Sequence, residues 1–222
     1  LIRVREIHIS GNDKTRDNVI RREMRVEEQE AINSVAIKRS FQRLNNLQFF
    51  QTVEILPKRV EEDKVDLEVK VKEKATGTFS IGGGFSTLDQ LNAIINVSEG
   101  NLFGMGYMGR IRGQVGVRRT LGIATFRNPR VFDGPTLFQV DAFSTQTNFL
   151  TYWEERAGGT LKVGRAFSEY MRGGITLIGE AIRIKDASSD APTFITDQVG
   201  RQSTTGFRAS FFRDTRDNFQ NP

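Results

Sequence analysis

No cysteine occurs in the 222-residue chain, and His8 is its single histidine. The first absence excludes structural disulfides and thiolate metal sites, without fixing a compartment. The second leaves any Ser–His nucleophile pair one base to draw on. That base sits in the strand-like run Ile7-His8-Ile9, with nothing beside it to suggest catalysis. No stretch of about 18 apolar residues occurs, so no transmembrane helix is expected. A membrane β-barrel stays open, because its strands average apolar and polar residues and escape a hydropathy scan. Glycine is scarce at first: Gly11 is the only one in the first 76 residues, and the other 20 lie between Gly77 and Gly206. That asymmetry divides the chain near Ala75-Thr76, into residues 1–76 and 77–222.

Charge separates no face from another at this level. Residues 1–76 hold 16 Lys/Arg and 14 Asp/Glu, and the remainder holds 16 and 13. The basic balance is a thin excess over both parts, whereas a nucleic-acid reader gathers its positive charge. No nucleic-acid partner is expected. The chain begins at Leu1 and ends at Asn221-Pro222 in a turn, which reads as a fragment.

In the first part, Ile2–Ile9 alternates apolar and polar and reads as a half-buried strand, stopped by Gly11-Asn12-Asp13. Thr15 is the expected N-cap of a helix with Asp17 in its first turn and Val19, Ile20 and Met24 on its apolar face. A second helix is expected from about Ser34, with Val35, Ile37, Phe41, Leu44 and Leu47 on one side. Phe50–Leu56 and Val65–Val71 read as strands, with Glu61-Glu62-Asp63 a solvated tip between them. The order is β-α-α-β-β. Such a module leaves at least one sheet edge open to an extended peptide; the candidate edge strand carries Phe50, Thr52, Val53 and Ile55.

The second part reads as eight strands, near 77–86, 90–99, 107–117, 120–128, 136–147, 156–166, 172–185 and 204–213. Phe79, Ile81 and Phe85 oppose Thr78, Ser80 and Ser86; Ile111 and Val115 oppose Arg110, Arg112 and Gln114; Phe207, Ala209 and Phe211 oppose Arg208 and Ser210. A soluble sandwich alternates as well. Glycines, arginines and amides at mid-strand suit a polar lumen, and the apolar face suits lipid. Leu121–Phe126 is ambiguous, and the seventh strand changes phase near Ala181-Ile182, at a bulge or above the membrane. Tyr107, Phe132, Tyr152 and Trp153 fall near strand ends, where interfacial aromatics sit, although Trp153 also suits a loop.

Several motifs fail on context. Gly104-Met105-Gly106-Tyr107-Met108-Gly109 matches the dinucleotide fingerprint, but a strand-like run follows instead of a helix. Gly82-Gly83-Gly84 precedes no Lys-Ser/Thr. Asp214, Asp217 and Asn218 fit a turn better than a calcium loop. No enzyme, cofactor or metal is expected. The glycine triplet either weakens the hold of the first barrel strand, as at a seam that opens, or makes room for aromatic neighbours or a bend.

Five stretches together resemble the BamA family of outer-membrane protein assembly factors. They are Ile7–Asn12, Val19–Arg25, Arg43–Phe50, Val69–Gly77 and Asn101–Gly106. The resemblance spans essentially the whole chain, with residues 1–76 similar to the last periplasmic POTRA module and the rest to the first eight strands of a sixteen-strand barrel. The fold class it implies is an α+β module followed by antiparallel transmembrane β-barrel strands. It implies a bacterial outer-membrane location with residues 1–76 in the periplasm, and partners of three kinds: unfolded outer-membrane protein clients, accessory outer-membrane lipoproteins, and the lipid bilayer. It implies a lateral gate at the first barrel strand, Thr78, Phe79, Ser80, Ile81, Gly82, Gly83, Gly84 and Phe85, which would template client strands. It makes Arg21 and Glu28 candidate docking residues for an accessory subunit, against the alternative of a salt bridge within their own helix. A polypeptide secretion pore of the same superfamily is the competing expectation; a passive eight-strand barrel and a soluble basic binding protein are the others. Two departures stand out: the second barrel half is absent, and Gln48 replaces a commoner glycine before Phe49-Phe50.

Overall fold

The computed structural model describes residues 2–87, 90–168 and 170–214. Asp217, Asn218 and the terminal Asn221-Pro222, read above as turn residues, lie outside them. The described chain forms two compact units, residues 1–77 with 100–107, and residues 78–99 with 108 onward.

The first unit begins with β1 (Arg3–Ser10), α1 (Asp17–Arg21) and α2 (Ser34–Asn46), followed by β2 (Phe50–Arg59) and β3 (Lys64–Glu73). The sheet order is β1-β3-β2, with β1 parallel and β2 antiparallel to β3. Val4 and Ile7 are both buried although three residues apart, because the β1–β3 register shifts between them. The bulge lets Arg5 reach Asp66 with two hydrogen bonds, Nε to Oδ1 at 2.9 Å and Nη2 to Oδ2 at 2.6 Å. Val19, Ile20, Leu44, Leu67 and Val69 meet at the centre of the core.

Two details differ from the sequence expectations. Arg16, not Thr15, occupies the N-cap of α1 and makes no side-chain cap bond, while Thr15 is buried. Phe41 and Val35 are exposed at 43% and 57%, and α2 buries Ser40 and Leu44 instead, with Ala36, Ile37 and Leu47 partly covered. The reason is polar: the Ser40 hydroxyl donates to the Ala36 carbonyl at 2.8 Å and accepts from the Arg25 amide at 2.7 Å, which holds the chain after α1 against that face. Asn33 caps α2, its side-chain oxygen accepting from the Val35 and Ala36 amides.

The second unit is one antiparallel sheet of eight strands in sequence order: β4 (Gly77–Ser86), β5 (Gln90–Leu102), β6 (Tyr107–Gly116), β7 (Arg119–Asn128), β8 (Thr136–Asn148), β9 (Trp153–Ala166), β10 (Met171–Lys185) and β11 (Gly200–Arg213). All eight expected strands are present. Register sorts the faces. One row across six strands is Gly109, Phe126, Val140, Leu161, Leu177 and Phe207; the adjacent row on the other face is Arg110, Thr125, Asp141, Thr160, Ile178 and Gly206. The ambiguous β7 is thereby resolved, with Ala124 and Phe126 on the apolar face and Ile123 and Thr125 on the polar one. Asp141 fixes the middle of the polar face by accepting from Thr125 at 2.8 Å, Gln139 at 2.9 Å and Thr160 at 2.9 Å.

The phase change in β10 is not a bulge, since its pairing with β9 and β11 runs unbroken from Arg172 to Ile184. Beyond Ala181 the apolar face turns charged with Arg183 and Lys185, and Lys185 bonds Glu155 at 2.8 Å. The opposite face turns apolar because the following loop, with its short helix α3 (Thr193–Thr196), packs Ala191 and Ile195 on Ile182 and Ile184. Phe132 at 99% and Trp153 at 42% are exposed near strand ends, and Phe149 stacks on Tyr152 with ring centroids 4.6 Å apart. Among the described residues no helix is long and apolar enough to cross a membrane.

Gln48 has φ +61° just past the end of α2, at a position where glycine closes a helix without strain. Its side chain offsets part of the cost by donating to the Asn45 carbonyl at 2.9 Å and accepting from Lys74 at 3.2 Å. Gln48→Gly is expected to stabilise the first unit by about 1 kcal/mol, read as a higher urea midpoint.

Candidate functional site

The site candidates are strand edges, and the structure treats them unequally. In the small sheet, β1 and β2 flank β3. The outer edge of β1 is covered. The Ile32 amide donates to the Ile2 carbonyl at 3.0 Å, the Val4 amide to the Glu30 carbonyl at 2.9 Å, and the Gln29 amide to the Val4 carbonyl at 2.7 Å. At Ile7 the cover passes to two side chains. Glu28 Oε1 accepts from the Ile7 amide at 3.2 Å, and Arg21 Nη2 donates to the Ile7 carbonyl at 3.0 Å. Arg21 and Glu28 also pair with each other at 3.3 Å. They do not share a helix: Arg21 ends α1 and Glu28 lies in the turn beyond it. Both stay nearly half exposed, so the pair remains presented to solvent while it seals the edge of β1. At the other edge, Phe50 and Val53 of β2 are buried, Ile55 is half-buried and Thr52 exposed. Phe50 and Val53 therefore hold β2 on the core, and what β2 can offer along its edge is main chain.

In the large sheet, β4 and β11 are the edges. The polar face of β4 is tied to β5 by Thr78 and Ser98 hydroxyls 2.6 Å apart and by Asn96 donating to the Ser80 hydroxyl at 3.4 Å. Its apolar face shows Phe79, Ile81 and Phe85 at 68%, 70% and 77% exposure. The glycines of β4 are not making room for aromatic neighbours in this chain. A Cβ on Gly82 would meet nothing within 4 Å, one on Gly83 only the Asn92 carbonyl at 3.5 Å, and one on Gly84 the Asn92 side chain at 3.7 Å. What the triplet does is remove side-chain packing and β-propensity from an edge strand.

Two glycines that do answer to sterics lie in the turn after β5, which belongs to the first unit. Gly104 and Gly106 have φ +68° and +70°, and a Cβ on Gly104 would stand 1.9 Å from the Lys14 carbonyl. The Gly104 carbonyl accepts from the Arg16 amide at 2.9 Å. Asn101 donates to the Thr15 hydroxyl at 2.8 Å and accepts from the Gly106 amide at 2.7 Å. Glu73 closes the cluster from β3, accepting from the Lys14 amide at 2.9 Å and the Thr15 amide at 2.7 Å. This docking is what occupies Thr15 and what the dinucleotide-like glycines serve, with strand β6 following them. Sequence reasoning missed it because the partners are separated by 86 positions for Asn101 and Thr15.

Burial works against the ionised Glu73, but the hydrogen bonds from the Thr15 side chain and from the two amides outweigh it and hold the carboxyl below its ordinary range. Its contribution is therefore present above the ordinary glutamate value of about 4.3 and is lost as the pH falls through the lowered one. Urea midpoints are expected to drop in acid, with Glu73→Gln less stable at neutral pH and flatter in its pH dependence. Gly104→Ala is expected to cost at least roughly 1–2 kcal/mol from its left-handed backbone alone. It should speed hydrogen exchange at the Arg16 amide.

A β-α-α-β-β module joined to an antiparallel sheet with one apolar and one charged face defines a class: a membrane β-barrel strand set carrying an α+β module. Comparison with known proteins agrees. A POTRA family model, described as a surface antigen variable number repeat, matches residues 2–74. An Omp85 superfamily domain model matches residues 101–222. The outer membrane protein assembly factor BamA of Nitratidesulfovibrio vulgaris is 34% identical over 221 residues, 99% of this chain and 28% of that protein. BamA of Neisseria meningitidis serogroup B is 30% identical over 213 residues, 92% of this chain and 27% of its own length. The chain thus spans under a third of these relatives. The crystal structure of Haemophilus ducreyi BamA lacking POTRA domains 1–3 matches 98% of this chain and 46% of that one, with TM-score 0.77 and 22% identity. CdiB from Acinetobacter baumannii shares the fold at TM-score 0.61 and 12% identity, over 95% of this chain and 42% of that one. The chain belongs to the Omp85 superfamily and looks like the BamA branch of it. Its strands belong to the bacterial outer membrane and its POTRA module to the periplasm.

Proposed function

We propose that the chain is part of a non-enzymatic insertase, which assembles client β-barrel proteins into the outer membrane by pairing their strands with β4. The observation that carries this reading is the edge itself: among the described residues β4 has one partner strand, an apolar face at 68–77% exposure and three glycines that no neighbour requires. Residues 78–85 would act as the templating strand of a lateral gate. An extended client segment satisfies the main-chain groups of β4, and the free energy comes from that pairing and from burial of the client's apolar face in lipid. No nucleotide, cofactor or metal enters the scheme. The open main-chain edge of β2, through Phe50–Ile55, is a second place where an extended segment would add. Arg21 and Glu28, half exposed, are the candidate contacts for an accessory outer-membrane lipoprotein.

The absence of cysteine permits a direct test. A cysteine is placed at Gly82 of the complete protein, where a Cβ meets nothing within 4 Å among the described residues of this chain. Disulfide crosslinks to the terminal strand of a stalled outer-membrane client are the expected result. Crosslinks confined to a substrate on the polar inner face would favour a polypeptide secretion pore of the same superfamily and end the templating role of β4.

A further inference from the structure

At the end of the large sheet marked by the turns after β7 and β9, Arg127, Arg130, Lys162 and Arg172 line a groove of about 580 Å³. Among the described residues no carboxylate lines it. Asp141, on the same face, accepts from Thr125, Gln139 and Thr160. Register places Arg127, Gln139, Lys162, Thr176 and Arg208 in one row of the polar face, so the cations recur across β7 to β11. Arg172 is held over the Phe212 ring at 4.3 Å from its centroid, which fixes its guanidinium in the groove. The volume falls in the roughly 300–1,000 Å³ range of ligand sites.

We propose that this groove binds acidic segments of an extended peptide. A cleft walled by one sign of charge concentrates the opposite charge, and guanidinium forks match carboxylates in geometry. The lining also includes Leu137 and Phe212, so cations stand beside apolar surface. That mixture suits a polypeptide carrying carboxylates among apolar side chains. A lipid headgroup is the poorer fit, because the groove opens on the charged face, opposite the row Phe126, Val140, Leu161, Leu177 and Phe207 that meets lipid. The proposal deepens the insertase reading and rests on it for the source of the peptide: clients would be drawn in by their acidic segments before pairing at β4.

The test uses the complete protein in nanodiscs and a fluorescent peptide alternating Glu with Leu, with its Gln counterpart as control. The Glu peptide is expected to bind in a salt-sensitive way, and about tenfold more weakly to Arg127→Gln/Lys162→Gln/Arg172→Gln. Arg127→Lys/Arg172→Lys, which keeps the charge but loses the forks, should bind between the parent and the Gln variant, and Arg183→Gln/Arg201→Gln at the opposite end of the sheet should retain most of the binding. Heat-modified gel mobility verifies that each barrel is folded. Equal affinity for the Gln peptide, equal loss in the Arg183/Arg201 variant, or occupation of the groove by anionic-lipid vesicles or inorganic phosphate in place of the peptide would overturn the proposal. Gly82 crosslinking repeated in the groove variant separates the two readings. Crosslinks that persist while peptide binding is unaffected sink the groove alone, and their absence from the parent protein sinks the templating of β4.

Discussion

Within a bilayer no water is available to an unpaired N–H or C=O, so every strand must find a partner on both sides or be left with a costly edge. This constraint makes the antiparallel ladder from β4 to β11 the organising feature of the large sheet. It sets the face of each side chain, because strands paired without slippage keep like faces together.

The module obeys the same rule in water, and the outcome shows which edge is meant to stay closed. β1 is parallel to its neighbour and would otherwise show main chain along its outer side; residues 29–32, Arg21 and Glu28 cover it. β2 has no such cover among these bonds. Arg21 and Glu28 therefore carry two loads at once, a seal on Ile7 and a charged pair at the surface. Any loss of partner binding on substituting them has to be weighed against exposure of Ile7.

Much of this was legible in the residues. Period-two alternation marked β4, β5, β6 and β11, while β7 was ambiguous and β10 changed phase, because a sheet with one side in lipid and one side polar writes its pattern into the sequence only where both faces keep their character. The β-α-α-β-β order followed from turn residues and helical spacing. Less legible was anything that depended on a distant partner. Thr15 has the chemistry of an N-cap but spends its hydroxyl on Asn101. Phe41 has the spacing of a core residue but is displaced by Ser40, whose hydroxyl captures the Arg25 amide. Gln48 gave no sign of its left-handed backbone beyond the glycine that the family carries there.

The sequence alone determined the strand count of the large sheet, its two-faced character and the family it resembles, since each is a local or compositional property. Only the tertiary structure decided which face Ile123 takes, why β10 changes character without a bulge, which edge of the small sheet is sealed, and how four cations from one turn and three strands come to share one groove. Those outcomes depend on register and on contacts between residues far apart in the chain, and a period of two carries no information about which strand lies alongside.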